Sequence, residues 1–207
     1  MHLINKFTRC FILFLALATQ LYAQGKSIDL MSPNGEIKVS VNLGDKIYYS
    51  ITDNNQELLT KNHLALMLKD GALGVNPKLI SAKKTKGEET IKPYIPLKYS
   101  TVKSNYNDLI MTFKGNYAIE FRAFDDGIAY RFVTGKKGGV EVMNEDFSIN
   151  FPDNYLLHLQ QNNGFKSAYE ELYQHVESTN WKQTDKMANL PALIDTKKKY
   201  KILIRVC

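Results

Sequence analysis

Residues 117–132 decide the fold class, and they read YAIEFRAFDDGIAYRF. Apolar side chains occupy every second position on both sides of Asp125-Asp126-Gly127, first at odd and then at even numbers. Alternation with a period of two is typical of a strand with one buried face. An acidic pair followed by glycine is typical of a tight reversal, because these residues cap the turn or accept a positive φ. The stretch therefore predicts a β-hairpin whose two strands pair with each other.

The same alternation recurs along the chain. It is found in residues 37–43, 47–51, 64–68 and 109–113. Turn-forming residues stand between these segments, at Pro33-Asn34-Gly35, Asp53-Asn54-Asn55, Asp70-Gly71 and Gly115-Asn116. No segment between residues 28 and 151 keeps a helical period over three turns. The sequence therefore predicts an all-β protein, a large antiparallel β-sandwich with little helix, and argues against a parallel α/β fold.

Two segments do not show this alternation. Residues 81–98 contain Lys83-Lys84-Thr85-Lys86 followed by Pro93 and Pro96, which predicts a solvated connection. Apolar residues in segment 165–176 fall at helical spacing, but Gly164 and the preceding asparagines suit a long loop equally well. The sequence leaves both interpretations of that segment open.

The first 23 residues have the form of a secretory signal peptide. Lys6 and Arg9 precede an apolar run, and the stretch ends in Leu21-Tyr22-Ala23, which favours cleavage after Ala23. The remaining residues 24–207 have the length and the composition of one globular domain, since the whole chain is 44% hydrophobic and 23% charged. We expect this domain to be periplasmic or secreted, with no membrane association after cleavage. Only Cys207 remains in it, so no internal disulfide is expected.

The net charge of +6 does not indicate a nucleic-acid partner. Two of the basic residues lie in the signal peptide, and five follow Asp195. Without these seven, residues 24–195 hold 20 basic and 21 acidic residues, a net charge of −1. Neutralising nucleic-acid phosphates requires a basic surface, so we expect no nucleic-acid binding.

The chain lacks the short motifs of common enzyme classes, namely a GxSxG elbow, a phosphate loop, HExxH and paired CxxC. Asp125 and Asp126 are explained by their turn. Glu171 and His175 would share a face only if their segment were helical, and no further zinc ligands lie nearby in the sequence. His63 and His158 each lie among leucines, which favours core or edge positions over metal binding.

Glu170 has a more distinctive setting. Tyr169, Tyr173 and Trp181 lie near it in the sequence, and residues 160–163 are all amides. Amides, a carboxylate and aromatic faces suit carbohydrate hydroxyls and a hard cation. An ordinary polar loop explains the same residues, and composition favours that simpler interpretation.

Four motifs, taken in order, resemble the amino-terminal domain of the family 97 glycoside hydrolases, the SusB-like α-glucosidases and α-galactosidases. They are SPNGEIKV at residues 32–39, YNDL at 106–109, FRAFDDGIAYRF at 121–132 and LPALI at 190–194. The resemblance spans roughly residues 27–203, and the hairpin is its most specific part. It implies a β-supersandwich of the galactose-mutarotase-like type. It also implies an exported enzyme that cleaves α-linked oligosaccharides on a (β/α)8 barrel, which the sandwich packs against.

The catalytic carboxylates of the family belong to that barrel, which needs about 250 residues. The mature chain has about 184 residues, already occupied by predicted strands. The resemblance therefore implies a non-catalytic domain, incomplete at its carboxyl-terminal end, in a chain truncated before the barrel. The alternative is a free-standing secreted carbohydrate-binding or surface-interaction module.

The resemblance also implies a calcium ion near the catalytic acid, with one carboxylate ligand supplied by the amino-terminal domain. A glutamate three residues before a tyrosine matches Glu170 with Tyr173, although Glu171 is adjacent. Calcium takes six to eight oxygen ligands, so the others would come from the barrel. We therefore expect Glu170 to bind calcium only in the full enzyme.

Overall fold

The structure, a computed structural model, describes residues 27–96, 98–182 and 186–206. The predicted signal peptide and Cys207 lie outside the described residues. Within the described ranges, no helix is long and apolar enough to cross a membrane.

The described residues form fifteen β-strands and one turn of 3-10 helix, which confirms the all-β prediction. The strands are β1 (Ile28–Met31), β2 (Ile37–Leu43), β3 (Ile47–Asp53), β4 (Gln56–Leu68), β5 (Gly71–Leu73), β6 (Leu79–Ile91), β7 (Val102–Phe113), β8 (Tyr117–Phe124), β9 (Gly127–Thr134), β10 (Val142–Phe147), β11 (Leu156–Asn162), β12 (Tyr173–Glu177), β13 (Met187–Ala188), β14 (Ala192–Asp195) and β15 (Lys201–Ile204). The 3-10 turn is Ser178–Asn180.

These strands form three antiparallel sheets. The first has the order β1-β2-β3-β4-β10, with β5 also paired to β4. The second has the order β6-β7-β8-β9, and the third has the order β12-β11-β14-β15, with β13 also paired to β11. The first two sheets pack face to face as a sandwich, and the third has a core of its own.

The sandwich core is built from the alternating apolar positions of both sheets. Its buried side chains are Leu30, Val39, Val41, Ile47, Tyr49, Leu64, Leu68 and Leu73 from the first sheet, and Leu109, Met111, Phe113, Tyr117, Ile119, Phe121 and Ala123 from the second. Fully burying one aliphatic side chain contributes about 2 kcal/mol. Register is therefore strongly determined, because a shift by one residue would turn a strand's apolar side chains towards water.

The predicted hairpin is present, and its two strands pair with each other as expected. Strands β8 and β9 pair from Tyr117↔Thr134 to Phe124↔Gly127, which leaves Asp125 and Asp126 as a two-residue turn. The carboxylate of Asp125 accepts a hydrogen bond of 2.8 Å from the backbone N–H of Asn34. Asp125 therefore has a structural role beyond the turn itself, because it also joins the hairpin to the turn at Pro33-Asn34-Gly35.

The prediction of a solvated connection over residues 81–98 is wrong for its first eleven residues. Residues 79–91 form β6, which is paired with β7 along its length. This strand lies at the edge of its sheet and most of its side chains are exposed, so its charged residues show no alternation. Lysines at an exposed edge discourage pairing with other chains, which explains why a strand carries a charge run. Pro93 and Pro96 follow the end of the strand.

The third sheet joins the sandwich through two tyrosines. Tyr155 is 1% exposed, and its hydroxyl donates to the carbonyl of Glu57 on β4 at 3.5 Å. The hydroxyl of Tyr200 donates to the carboxylate of Asp53 at 3.3 Å. Burial raises the pKa of Tyr155, which keeps its hydroxyl protonated as a donor. The orientation of the third sheet therefore depends on contacts far apart in sequence.

On the outer face of the second sheet, one aromatic ring lies between a glycine and an arginine. The guanidinium of Arg122 lies 3.5 Å from the ring centroid of Tyr106 and donates two hydrogen bonds to Asp108. Gly87 is the cross-strand partner of Tyr106, and a Cβ built on it would lie 2.3 Å from the ring. Only glycine leaves room for this stack.

We expect Gly87→Ala to lower the free energy of unfolding by about 1–2 kcal/mol, because the added methyl group displaces Tyr106 from Arg122. The measurement is urea denaturation followed by circular dichroism. Gly127→Ala is the matched control, since its Cβ would meet nothing within 4 Å. Both variants lose the same flexibility of glycine in the unfolded chain, so the difference between them reports the stack. Equal midpoints for the two variants would contradict this account.

Candidate functional site

The loop between β11 and β12 carries the glutamate singled out in the sequence. Residues 163–172 form this loop, and β12 begins at Tyr173, so the helical interpretation of segment 165–176 is wrong. Tyr169 has a φ of +56°, which an α-helix does not accommodate, and β12 pairs with β11. Glu171 and His175 therefore do not share a helix face, and the zinc arrangement considered for them does not form.

One side chain of β11 fixes the backbone around Glu170. The Nε2 of Gln160 donates to the carbonyl of Tyr169 at 2.7 Å and to that of Glu171 at 2.9 Å. The Oε1 of Gln160 accepts a hydrogen bond of 2.9 Å from Nδ2 of Asn189. Gln160 uses both ends of its amide and bridges the residues on either side of Glu170. We call this arrangement the Gln160 clamp.

The loop presents two carboxylates to solvent. Glu170 and Glu171 are both exposed, and within residues 27–96, 98–182 and 186–206 neither carboxylate has a hydrogen-bond or ion-pair partner. Tyr169 is held by its own hydroxyl, which donates to the carbonyl of Phe165 at 3.2 Å. Fixed backbone with free carboxylates suits a site that binds a cation together with groups from elsewhere.

The amide side chains around the loop differ in whether they are free to bind a ligand. Gln160 is occupied by the clamp, and Asn162 is 1% exposed. These two amides therefore do not offer hydrogen bonds to a ligand at the surface, which agrees with the simpler interpretation of an ordinary polar loop. Trp181 packs against the core of the third sheet. Of the three aromatic residues near Glu170 in the sequence, Tyr169 and Tyr173 have rings about half exposed.

His63 has two hydrogen-bond partners. Nε2 of His63 lies 3.0 Å from the carboxylate of Asp146, and its Nδ1 lies 2.9 Å from the hydroxyl of Ser148. Lys46 and then His63 lower the pKa of Asp146 by hydrogen bonding to its carboxylate. This network joins β4 to β10, so His63 is a half-buried residue with structural partners and not a metal ligand, as the sequence favours.

His158 and His175, which the sequence gives no reason to associate, lie directly opposite each other on β11 and β12. Their Nδ1 atoms are 2.6 Å apart. Elsewhere, the part of the chain that the structure describes holds no cluster of three or more His, Cys, Asp or Glu side chains suited to a metal ion. Neither the clamp nor the histidine pair was predicted, because cross-strand register is not visible in the sequence.

Two open hollows lie on the sandwich away from the Glu170 loop. One, of about 240 Å³, is lined by Lys78, Lys114 and Lys136 among others. The other, of about 310 Å³, lies beside Tyr48 and Lys61 on the outer face of the first sheet. Neither hollow includes a residue of the loop.

The fold and the loop together define a class: a β-sandwich domain with an attached sheet that presents a fixed acidic loop. Comparison with known proteins identifies the family. The sequence model described as "Glycosyl-hydrolase 97 N-terminal" matches residues 30–205. This chain belongs to that family, which confirms the resemblance seen in the sequence.

Known relatives are considerably longer than this chain. A retaining alpha-galactosidase of Bacteroides thetaiotaomicron is 35% identical over 143 residues, which cover 69% of this chain and 22% of the relative. A Glycoside Hydrolase Family 97 enzyme from Pseudoalteromonas sp. strain K8, solved in complex with acarbose, has a TM-score of 0.70 at 18% identity. A beta-arabinopyranosidase has a TM-score of 0.72 at 22% identity. The matches cover 82% of this chain, and 27% and 30% of the two solved chains.

The Gln160 clamp predicts a local effect on the loop. We expect Gln160→Ala to increase the rate of tryptic cleavage after Lys166 several-fold, because the carbonyls of Tyr169 and Glu171 lose their shared donor. Mass spectrometry of a digestion time course measures this. Gln161→Ala is the matched control, since its side chain makes no hydrogen bond within the described residues. The clamp has no such role if both variants are cleaved at the parent's rate.

Proposed function

We propose that this chain is the non-catalytic amino-terminal domain of an exported α-glycoside hydrolase, which packs on a (β/α)8 barrel and completes its active site. The observation on which this proposal rests is membership of the amino-terminal family together with the small share of the relatives that the match covers. The chain belongs to the amino-terminal family, but its match covers only 22% of the alpha-galactosidase relative. The substrate class that we propose for the complete enzyme is an α-linked oligosaccharide.

The carboxyl groups of this chain support a non-catalytic role. Glycoside hydrolysis uses two carboxyl groups, one of which is a general acid with a raised pKa. Among the described residues, every carboxyl group whose pKa is clearly shifted is shifted downwards. They are Asp29, Asp45, Asp70, Asp146, Asp153 and Asp195. Serine, tyrosine, lysine and backbone partners stabilise the charged forms of these groups, which suits structural contacts and opposes proton donation.

Exposed apolar side chains on the third sheet and its loop support packing on another domain. Phe165 is 84% exposed, Leu172 81% and Leu203 60%. Exposed large apolar residues are typical of an interface. Phe165 and Leu172 belong to the Glu170 loop itself, so a barrel that covers them would also meet the free carboxylates.

Glu170 fits a role as one calcium ligand. Its carboxylate is a hard oxygen donor, it has no partner within the described residues, and the clamp fixes the backbone on both sides of it. One carboxylate is not a calcium site, because calcium takes six to eight oxygens. The partner barrel would therefore supply most of the ligands, and the ion would join the two domains.

The proposed location outside the cytoplasm rests on residues 1–23. Their basic start, apolar run and Leu21-Tyr22-Ala23 ending have the order of a cleavable export signal. A polysaccharide-degrading role outside the cytoplasm is consistent with this signal.

The purified chain is expected not to release nitrophenol from aryl α-glucosides or α-galactosides above a buffer blank, because the two carboxyl groups that glycoside cleavage needs are proposed to belong to the barrel. Continuous absorbance assays measure this, with the alpha-galactosidase relative as the positive control. Turnover that disappears on changing a carboxylate of this chain to its amide would show that the domain is itself catalytic.

A calcium titration distinguishes the proposed role of Glu170 from that of Glu171. In a hybrid that joins residues 24–207 to the remainder of the alpha-galactosidase relative, we expect Glu170→Gln to weaken calcium-dependent activity about tenfold or more. The amide keeps the shape of the side chain and removes its charge. Glu171→Gln is the matched control and is expected to leave the calcium midpoint unchanged. Identical titrations for the parent and both variants would remove Glu170 from the proposed site.

A further inference from the structure

The outer face of the third sheet holds two imidazoles in contact. His158 on β11 and His175 on β12 are cross-strand partners, with ring centroids 4.8 Å apart and ring planes at 77°. Their Nδ1 atoms face each other at 2.6 Å. His158 is half-buried and His175 is exposed, so the pair is open to solvent.

Only a few arrangements of protons or metal ions make a contact between two facing ring nitrogens favourable. Two lone pairs at this distance repel each other, and two N–H groups repel each other as well. The contact is favourable when one nitrogen keeps its proton and donates it to the lone pair of the other, or when a metal ion replaces that proton and both lone pairs bind it. Imidazole nitrogen is a preferred ligand for zinc, copper and nickel.

We propose that His158 and His175 form a binding site for one transition-metal dication of the zinc, nickel and copper class. The two protein ligands are the Nδ1 atoms, and water completes the coordination. This site is distinct from the calcium role of Glu170, because calcium prefers oxygen ligands and avoids sites made of imidazole alone. It does not depend on the function proposed above.

The geometry requires only a small adjustment. Two nitrogens that each lie about 2.1 Å from one metal ion are about 3 Å apart at octahedral angles and about 3.4 Å apart at the tetrahedral angles of zinc. The two Nδ1 atoms, 2.6 Å apart, must therefore separate by roughly half an ångström or slightly more, which rotation of the exposed His175 ring supplies. The paired strands hold the two Cα positions, so most of the ordering occurs before the metal binds.

The carboxylates nearest the pair do not compete with the imidazole nitrogens for a metal ion. Asp195 on β14 and Glu177 on β12 lie on the same face of the sheet, one register step from the histidines. Each is ion-paired to a lysine, Asp195 to Lys201 and Glu177 to Lys197. Leu193, opposite His158, borders the pair on the β14 side. The protein therefore supplies two nitrogen ligands, with carboxylates near them already partnered.

The test is titration of the full-length, untagged chain with Ni²⁺ and with Zn²⁺ by isothermal calorimetry at pH 7.5. We expect one ion per chain, and binding about tenfold or more weaker in His158→Gln and in His175→Gln, since each removes one of two protein ligands. His63→Gln is the matched control and is expected to bind like the parent, because His63 is occupied by Asp146 and Ser148.

A second measurement does not depend on the variants. Metal and protons compete for the same nitrogens, so binding by the parent is expected to be lost on going from pH 7.5 to pH 5. Proton NMR should show the ring signals of both histidines shifting together as Zn²⁺ is added. Equal affinity in the parent and in the double variant, or a shift of only one of the two rings, would overturn the proposal.

Discussion

The packing of two sheets across one apolar core is the constraint on which the rest of the structure depends. Inward-facing side chains such as Val41 and Ile119 are fully buried, and each strand keeps its register because a shift of one residue would expose its whole apolar set. The outer faces are then free to carry polar contacts. The stack of Arg122 on Tyr106 is one of these contacts, and the His63 network between β4 and β10 is another.

The third sheet is a smaller unit attached to this sandwich. Its own core is small, and Tyr155 and Tyr200 connect it to the first sheet. The candidate ligand-binding features are found in this sheet and its loop, namely the acidic loop, the Gln160 clamp and the histidine pair. A rigid sandwich therefore supports a more exposed region in which the backbone is fixed but several polar groups remain available.

The two proposed cation sites differ in ligand chemistry and in completeness. Glu170 offers a single carboxylate, and the proposed calcium site depends on another domain for the remainder of its oxygen ligands. His158 and His175 offer two nitrogens from one sheet and need only water besides. Family membership bears on the first site, whereas the second rests on the geometry of this chain. Each can therefore fail without affecting the other.

The sequence by itself determined the fold class, the hairpin at residues 117–132 and the family, because alternation and turn residues are local properties that one sheet face imposes directly. It did not identify β6, since an edge strand exposes its charged side chains and shows no alternation. It also left residues 165–176 open between helix and loop. Tertiary structure decided that segment through the pairing of β12 with β11. The same pairing placed His158 against His175 and brought Gln160 to the loop, since register joins residues whose separation in sequence carries no signal.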